Sequence, residues 1–194
     1  SNSLFSFLSS TSLADFCLLA NILIISSSNS LACSVDELWI MFGQCSVIRL
    51  ESVHRALCQI ASLTNGAKDL VQQLFNDGDK VAVVSGGFRE VISPLMQSLS
   101  IANYRANRFE IANGKLTGKV LGKIVDRAAK AEYLHELKAS LKPARVIAIG
   151  DGANDIEMIK AADIGIAFCA KDALRREADF VIENRDLREV LQAL

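Results

Sequence analysis

A doubly wound α/β fold built on a parallel sheet is predicted for this chain, and three observations predict it. Short aliphatic runs alternate with amphipathic stretches from Gly66 onward, the run Val81–Val84 ends in Ser85-Gly86-Gly87, and the run Val146–Ile149 ends in Gly150-Asp151-Gly152. Near the N-terminus, Leu18 to Ile25 is apolar and is followed by the polar run Ser26 to Ser30, the pattern of a strand covered on both faces and then a loop. The spacing next predicts a helix over Gly66–Phe75, a strand over Val81–Val84 and a helix over Glu90–Leu99. Between Arg105 and Gly122, two alternating segments flank Asn113-Gly114, a pair that tolerates positive φ, so a β-hairpin is expected at the edge of the sheet. A strand over Val146–Ile149, a helix over Asp155–Ala162 and a strand over Ile164–Ala167 complete the series. In such sheets ligands bind beyond the carboxyl ends of the strands.

Composition sets bounds on function. The chain has 194 residues, 51% hydrophobic and 22% charged, with a net charge of −1, which describes a globular protein without the basic field that nucleic acid binding needs. Every Lys and Arg lies at or after Arg49, whereas residues 1–48 carry only Asp15, Asp36 and Glu37 as charges. The chain is accordingly divided into a divergent segment, 1–48, that can hold the first strand of the core, and a core over 49–194. The apolar stretch Phe16–Ile25 is half the length of about 20 residues that a membrane helix needs, and Ser1-Asn2-Ser3-Leu4 lacks the basic start of a signal peptide. No membrane segment is expected. Five scattered cysteines (Cys17, Cys33, Cys45, Cys58, Cys169) without a CxxC pair read as reduced thiols in a cytoplasmic protein, and Cys33, Cys45 and Cys58 fit no compact zinc finger.

Chemistry concentrates at the ends of two strands. At Ser85-Gly86-Gly87 a hydroxyl and exposed backbone N–H groups precede a helix, an arrangement able to hold a phosphate, although a plain tight turn has the same appearance. Gly150-Asp151-Gly152-Ala153-Asn154-Asp155 sets two carboxylates and an amide beyond another strand, and such hard oxygen donors suit Mg²⁺. Lys130 lies in a helical stretch after Ile124-Val125-Asp126 and by itself reads as a solvated charge.

Taken in order, Ser85-Gly86-Gly87-Phe88, the Asn113-Gly114-Lys115-Leu116-Thr117-Gly118 hairpin, Ile124-Val125-Asp126 with Lys130, Gly150-Asp151-Gly152-Ala153-Asn154-Asp155 and Gly165-Ile166-Ala167-Phe168 resemble the phosphoserine phosphatase family of the haloacid dehalogenase superfamily, from about Leu63 to Leu194. The resemblance implies a Rossmann-like core and phosphoryl transfer at its carboxyl edge from a small phosphorylated metabolite such as phosphoserine, as in serine biosynthesis. It assigns phosphate binding to Ser85, Gly86 and Lys130, a catalytic role to Lys130, Mg²⁺ binding to Asp151, and support of that shell to Asn154 and Asp155, with Asp155 orienting Lys130. The Gly-Asp-Gly-x-Asn-Asp sequence also occurs in cation-pump phosphorylation domains, but Ser85-Gly86-Gly87 and the Lys130 spacing favour the phosphatase branch.

One part of the family pattern is absent. Its nucleophile motif, Asp-x-Asp-x-Thr after the first strand, occurs nowhere in the chain. An ungapped match puts Ser26 and Ser28 at the two aspartate positions, and a match shifted by two puts Ile24 and Ser26 there. Serine is neutral near pH 7 and needs a base to become nucleophilic. His54 and His135 both read as exposed helix positions, and Asp77-Gly78-Asp79 precedes its strand and so reads as a turn at the wrong edge. The short stretch between Gly43 and Gly66 leaves room for a reduced cap or none. A hydrolase impaired in turnover is expected, and a catalytically silent phosphate- and Mg²⁺-binding protein or scaffold is the alternative.

Overall fold

The computed structural model describes residues 17–18, 22–26 and 62–194. Ten strands are described: β1 (Cys17–Leu18), β2 (Ile22–Ser26), β3 (Ser62–Leu63), β4 (Lys80–Phe88), β5 (Asn103–Asn107), β6 (Phe109–Ala112), β7 (Lys115–Val120), β8 (Arg145–Gly150), β9 (Ile164–Phe168) and β10 (Phe180–Ile182). Five α-helices accompany them: α1 (Ala67–Asn76), α2 (Arg89–Ser98), α3 (Arg127–Leu141), α4 (Ile156–Ala161) and α5 (Asp172–Arg175). Six strands form the central sheet in the order β10-β9-β8-β2-β4-β5, while β1 pairs only with β3 and β6 only with β7.

The two faces of this sheet explain why its strands are continuous apolar runs. Val81, Val83, Ile147, Ile149, Ile166 and Phe168 point to one side, where they meet Leu70, Val71 and Leu74 of α1 and Ile92 and Met96 of α2. Ala82, Val84, Val146, Ala148 and Ala167 point to the other, against Tyr133, Leu134 and Leu137 of α3, Met158 and Ile159 of α4 and Leu174 of α5. Alternate residues of one strand thus fill two different cores, and each fully buried leucine or isoleucine contributes about 1.5–3 kcal/mol. Gly165 allows α4 to close on the sheet, because a Cβ there would lie 2.5 Å from Cγ2 of Ile159.

The expected α/β fold with a parallel sheet is present, with two local differences. β2 does hold the centre of the sheet, but it runs antiparallel to both neighbours, pairing Ile22 with Val83, Ile25 with Lys80 and Ser26 with Arg145. The sheet is therefore mixed, and β4, β5, β8, β9 and β10 share one direction against β2. Ser26, partnered with the first residue of β8, sits at the amino edge of the parallel strands. Ser28, Cys33, Cys45, His54 and Cys58, with the stretch read as leaving little room for a cap, lie outside the described residues.

The hairpin expected around Asn113-Gly114 forms, with φ of 50° and 72° at those two residues, yet β6 and β7 make a separate two-stranded sheet instead of extending the main one. Phe109 at its base stacks on Phe88 at the end of β4, with ring centroids 3.7 Å apart. That contact seats the hairpin over the carboxyl edge of β4. Asp77 caps α1 and Gly78 turns with φ of 82°, so Asp77-Gly78-Asp79 is the turn into β4 at the amino edge.

Candidate active site

Ser85 lies in the carboxyl half of β4 and Asp151 directly after β8, and because both strands run antiparallel to β2 the two residues reach the same edge of the sheet. Behind them lies a buried ion pair. Nζ of Lys130, 1% exposed, donates to Oδ1 of Asp155, 0% exposed, at 2.8 Å. The other oxygen of Asp155 accepts the backbone N–H of Gly152 at 3.0 Å and of Asp151 at 3.3 Å. One carboxylate thereby fixes the lysine of α3 and the turn after β8 at once. Gly150 makes this possible, since a Cβ there would stand 2.6 Å from Cβ of Asp155. Asp126 caps the start of α3, its carboxylate accepting from the N–H of Ala129 at 2.9 Å, which sets Lys130 in the first turns of that helix.

A cavity of about 150 Å³ opens in front of the pair. Gly86, Asn107, Val125, Lys130 and Asn154 line it, together with Ile124, Asp126 and Arg127 at the start of α3 and just before it. Of the residues singled out from the sequence, Gly86, Lys130 and Asn154 face this space and Asp155 stands directly behind it. Ser85 does not face it. Its side chain is fully buried and its oxygen accepts the N–H of Gly87 at 2.9 Å, so it holds the Gly86-Gly87 turn from inside. His135 is exposed on α3, as expected.

Asn107 was not legible in the sequence. Buried to 2% exposure, it donates from Nδ2 to the carbonyl of Gly86 at 2.6 Å and accepts at Oδ1 from the N–H of Val125 at 2.8 Å. One side-chain amide therefore ties the irregular Ser85–Phe88 end of β4 to the segment that enters α3. The only local cue is an asparagine at the carboxyl end of a polar strand.

Near Asp151 the loop after β9 closes in, with the N–H of Lys171 donating to the carbonyl of Asp151 at 3.1 Å. Cys169 in that loop is half-buried, has φ of 46°, and donates from Sγ to the carbonyl of Glu183 at 3.4 Å. Burial pushes its thiol up from the ordinary cysteine range, Arg185 opposes that shift, and the nearby charge of Asp151 adds to it. A protonated thiol is a poor nucleophile.

The arrangement is thus a charge-buffered lysine, a glycine turn and a carboxylate gathered at the carboxyl edge of an α/β sheet, which suits binding of a phosphoryl group. The chain resembles known proteins in sequence and in fold. The model of the haloacid dehalogenase-like hydrolases matches residues 16–160. A phosphoserine phosphatase of Methanocaldococcus jannaschii is 42% identical over 145 residues, covering 74% of this chain and 68% of that protein. One of Streptococcus thermophilus is 47% identical over 131 residues, covering 66% of this chain and 61% of that protein. A solved structure described as a phospho-aspartyl intermediate analogue of phosphoserine phosphatase superimposes with a TM-score of 0.75 at 39% identity, over 81% of this chain and 76% of that one. The matched region spans between 61% and 68% of these two curated relatives. This chain belongs to the haloacid dehalogenase-like hydrolase family, in the branch of the phosphoserine phosphatases.

Proposed function

We propose that the cavity binds the phosphoryl group of a small phosphomonoester such as phosphoserine, and that the chain hydrolyses it slowly because the family's carboxylate nucleophile is not supplied. The observation that carries this reading is the buried Lys130–Asp155 pair, 2.8 Å long, facing a cavity whose other wall is the Gly86 turn. A phosphoryl group there would meet the Lys130 ammonium and backbone N–H groups in surroundings of low dielectric, where positioning and electrostatics do most of the work of phosphoryl transfer. Lys130 would hold the phosphoryl oxygens, Asp155 would keep its ammonium aimed, and Ser85 would act by fixing the turn.

The donor chemistry fits Mg²⁺, which takes one or two carboxylates and completes its shell with water and substrate oxygen. Asp151 would hold the ion with Asn154 in support, and the ion would offset negative charge on the phosphoryl oxygens. In this reading residues 49–194 are the phosphatase core and residues 1–48 a divergent leading segment. A cytoplasmic setting in serine biosynthesis belongs to the same proposal, supported by the phosphoserine phosphatases among its relatives.

A silent, binding-only protein is the second reading. It is favoured by β2, whose antiparallel course carries Ser26 away from the cavity edge. Mg²⁺-dependent hydrolysis of phosphoserine and of a general phosphomonoester, measured beside phosphate binding by calorimetry, separates the two. Binding with slow turnover supports the proposed function, binding with no turnover supports the second reading, and absence of both refutes each.

A further inference from the structure

We propose that the Asn113-Gly114 turn is a site of spontaneous covalent modification, at which the side chain of Asn113 closes on the Gly114 nitrogen and loses ammonia, and that the fold protects Asn65-Gly66 from the same reaction. These are the two Asn-Gly pairs of the chain. Glycine has no side chain to shield the attacking nitrogen, so the dipeptide alone exposes both pairs equally. Both asparagines are also exposed to solvent, and access of water does not separate them.

Their surroundings do. Nδ2 of Asn65 donates to Oδ2 of Asp186 at 3.1 Å, and the Asn65 carbonyl accepts the N–H of Leu187 at 2.9 Å. The carbonyl of Gly66 accepts the N–H of Leu70 at 2.9 Å, which ties the pair to α1 as well. A Cβ on Gly66 would stand 2.3 Å from Oδ1 of Asp186 and 2.9 Å from the backbone nitrogen of Arg188, so residues near the C-terminus enclose this glycine. Nothing lies within 4 Å of a Cβ on Gly114. No hydrogen bond of the Asn113 side chain is found among the described residues, and the turn projects beyond the last β6–β7 pair, Ala112 with Lys115.

Reaction requires Cγ of Asn113 to swing onto the nitrogen of Gly114. That nitrogen gives its proton to hydroxide and attacks Cγ; the Cγ–Nδ2 bond breaks, and Nδ2 takes a proton from water and leaves as ammonia. One water then opens the cyclic imide. Breaking the new Cγ–N bond yields aspartate, whereas breaking the original peptide bond routes the chain through Cβ and Cγ as isoaspartate. Either product adds a negative charge, and isoaspartate also lengthens a loop whose length sets the pairing of Ala112 with Lys115. At Asn65 the same swing must first break the bond to the Asp186 carboxylate, which slows it by about 10-fold or more.

The test is to hold the full chain in mildly alkaline buffer, sample it over time, and map its peptides by mass spectrometry with fragmentation that separates asparagine, aspartate and isoaspartate. Position 113 is expected to convert at least about 10-fold faster than position 65. In urea, where both pairs lose their surroundings, the two rates should converge. Asp186→Ala, its fold checked by the thermal midpoint, should speed conversion at position 65 and leave position 113 unchanged. Equal rates at the two positions in the folded chain, a faster rate at position 65, or the same difference persisting in urea overturns the inference. So does a folded Asp186→Ala chain in which position 65 converts as slowly as in the parent; should that variant not fold, the comparison of native chain with urea decides alone.

Discussion

Lys130 and Asp155 place opposite charges where neither touches solvent, and such a pair is tolerated only while both members are present. Asp155→Ala should lower stability by about 3–5 kcal/mol, read by urea unfolding, because it strands the ammonium and releases two turn amides. Lys130→Met combined with Asp155→Leu should recover part of that loss, and only part, since no leucine can accept the Gly152 N–H. A loss below about 1 kcal/mol in the single variant would contradict the burial of the pair. Asp151→Asn, in contrast, should weaken Mg²⁺ binding more than it affects folding, since removing one hard anionic oxygen removes a ligand of the ion; equal Mg²⁺ affinity of variant and parent would remove Asp151 from that role. Cys169 follows from its raised thiol pKa: its thiolate forms only at a pH above that of an ordinary cysteine, so alkylation at neutral pH should be slower there than for a free thiol and should accelerate as pH rises. Peptide mass spectrometry after timed iodoacetamide treatment reads this directly.

At the level of elements, glycines decide how closely strands and helices approach. Gly150→Ala would press a methyl against Cβ of Asp155 at 2.6 Å and should cost about 1–3 kcal/mol while loosening the Lys130 contact; a chain of unchanged stability would mean that the turn can shift. The direction of β2 yields a sharper prediction. Because Ser26 pairs with Arg145 at the amino edge, an aspartate introduced at Ser26 should leave phosphoserine hydrolysis as slow as in the parent. A burst of Mg²⁺-dependent activity in that variant would contradict the antiparallel course. The sequence could not have revealed this direction. Side chains in a strand repeat every two residues, so Leu18 to Ile25 reads the same from either end, and pairing with distant neighbours alone fixes the sense. β4, β8 and β9 with α1, α2 and α4 were legible to within a few residues because their apolar runs are bounded by glycine and polar turns, whereas the extent of α3, and α5 and β10, were not read, α3 having no strong apolar stripe and the other two being short. β5 was not, since Asn103–Asn107 is polar and only its pairing with β4 makes it a strand.

For the whole molecule, the site was legible where short motifs carry it and hidden where distant segments meet. Gly86, Lys130 and Asn154 line one cavity from three separate stretches. Ser85 turned out to be enclosed, because a hydroxyl beside two glycines is equally suited to bracing a turn as to touching a ligand. Asn107 left no local mark, its role arising only when the segment before α3 docks beside β4. On the proposed function these parts bind phosphate and turn it over slowly: nucleophile and acid–base carboxylates act as a unit, and a chain without the Asp-x-Asp-x-Thr motif should hydrolyse at least about 10³-fold more slowly than an intact relative. Turnover of phosphoserine by the purified chain, cleared of contaminating phosphatase and proceeding at the relative's rate, would refute that expectation.

Asn107 has one further consequence. Its amide joins Gly86, 21 residues earlier, to Val125, 18 residues later, so the two lips of the cavity cannot part without breaking a buried bond at the hinge between them. The cavity should breathe as one cooperative unit, and the Val125 amide should then exchange its proton for deuterium only when the whole mouth opens. That single amide would serve as a clock for entry and exit, slowing when phosphate is bound and running fast in Asn107→Ala.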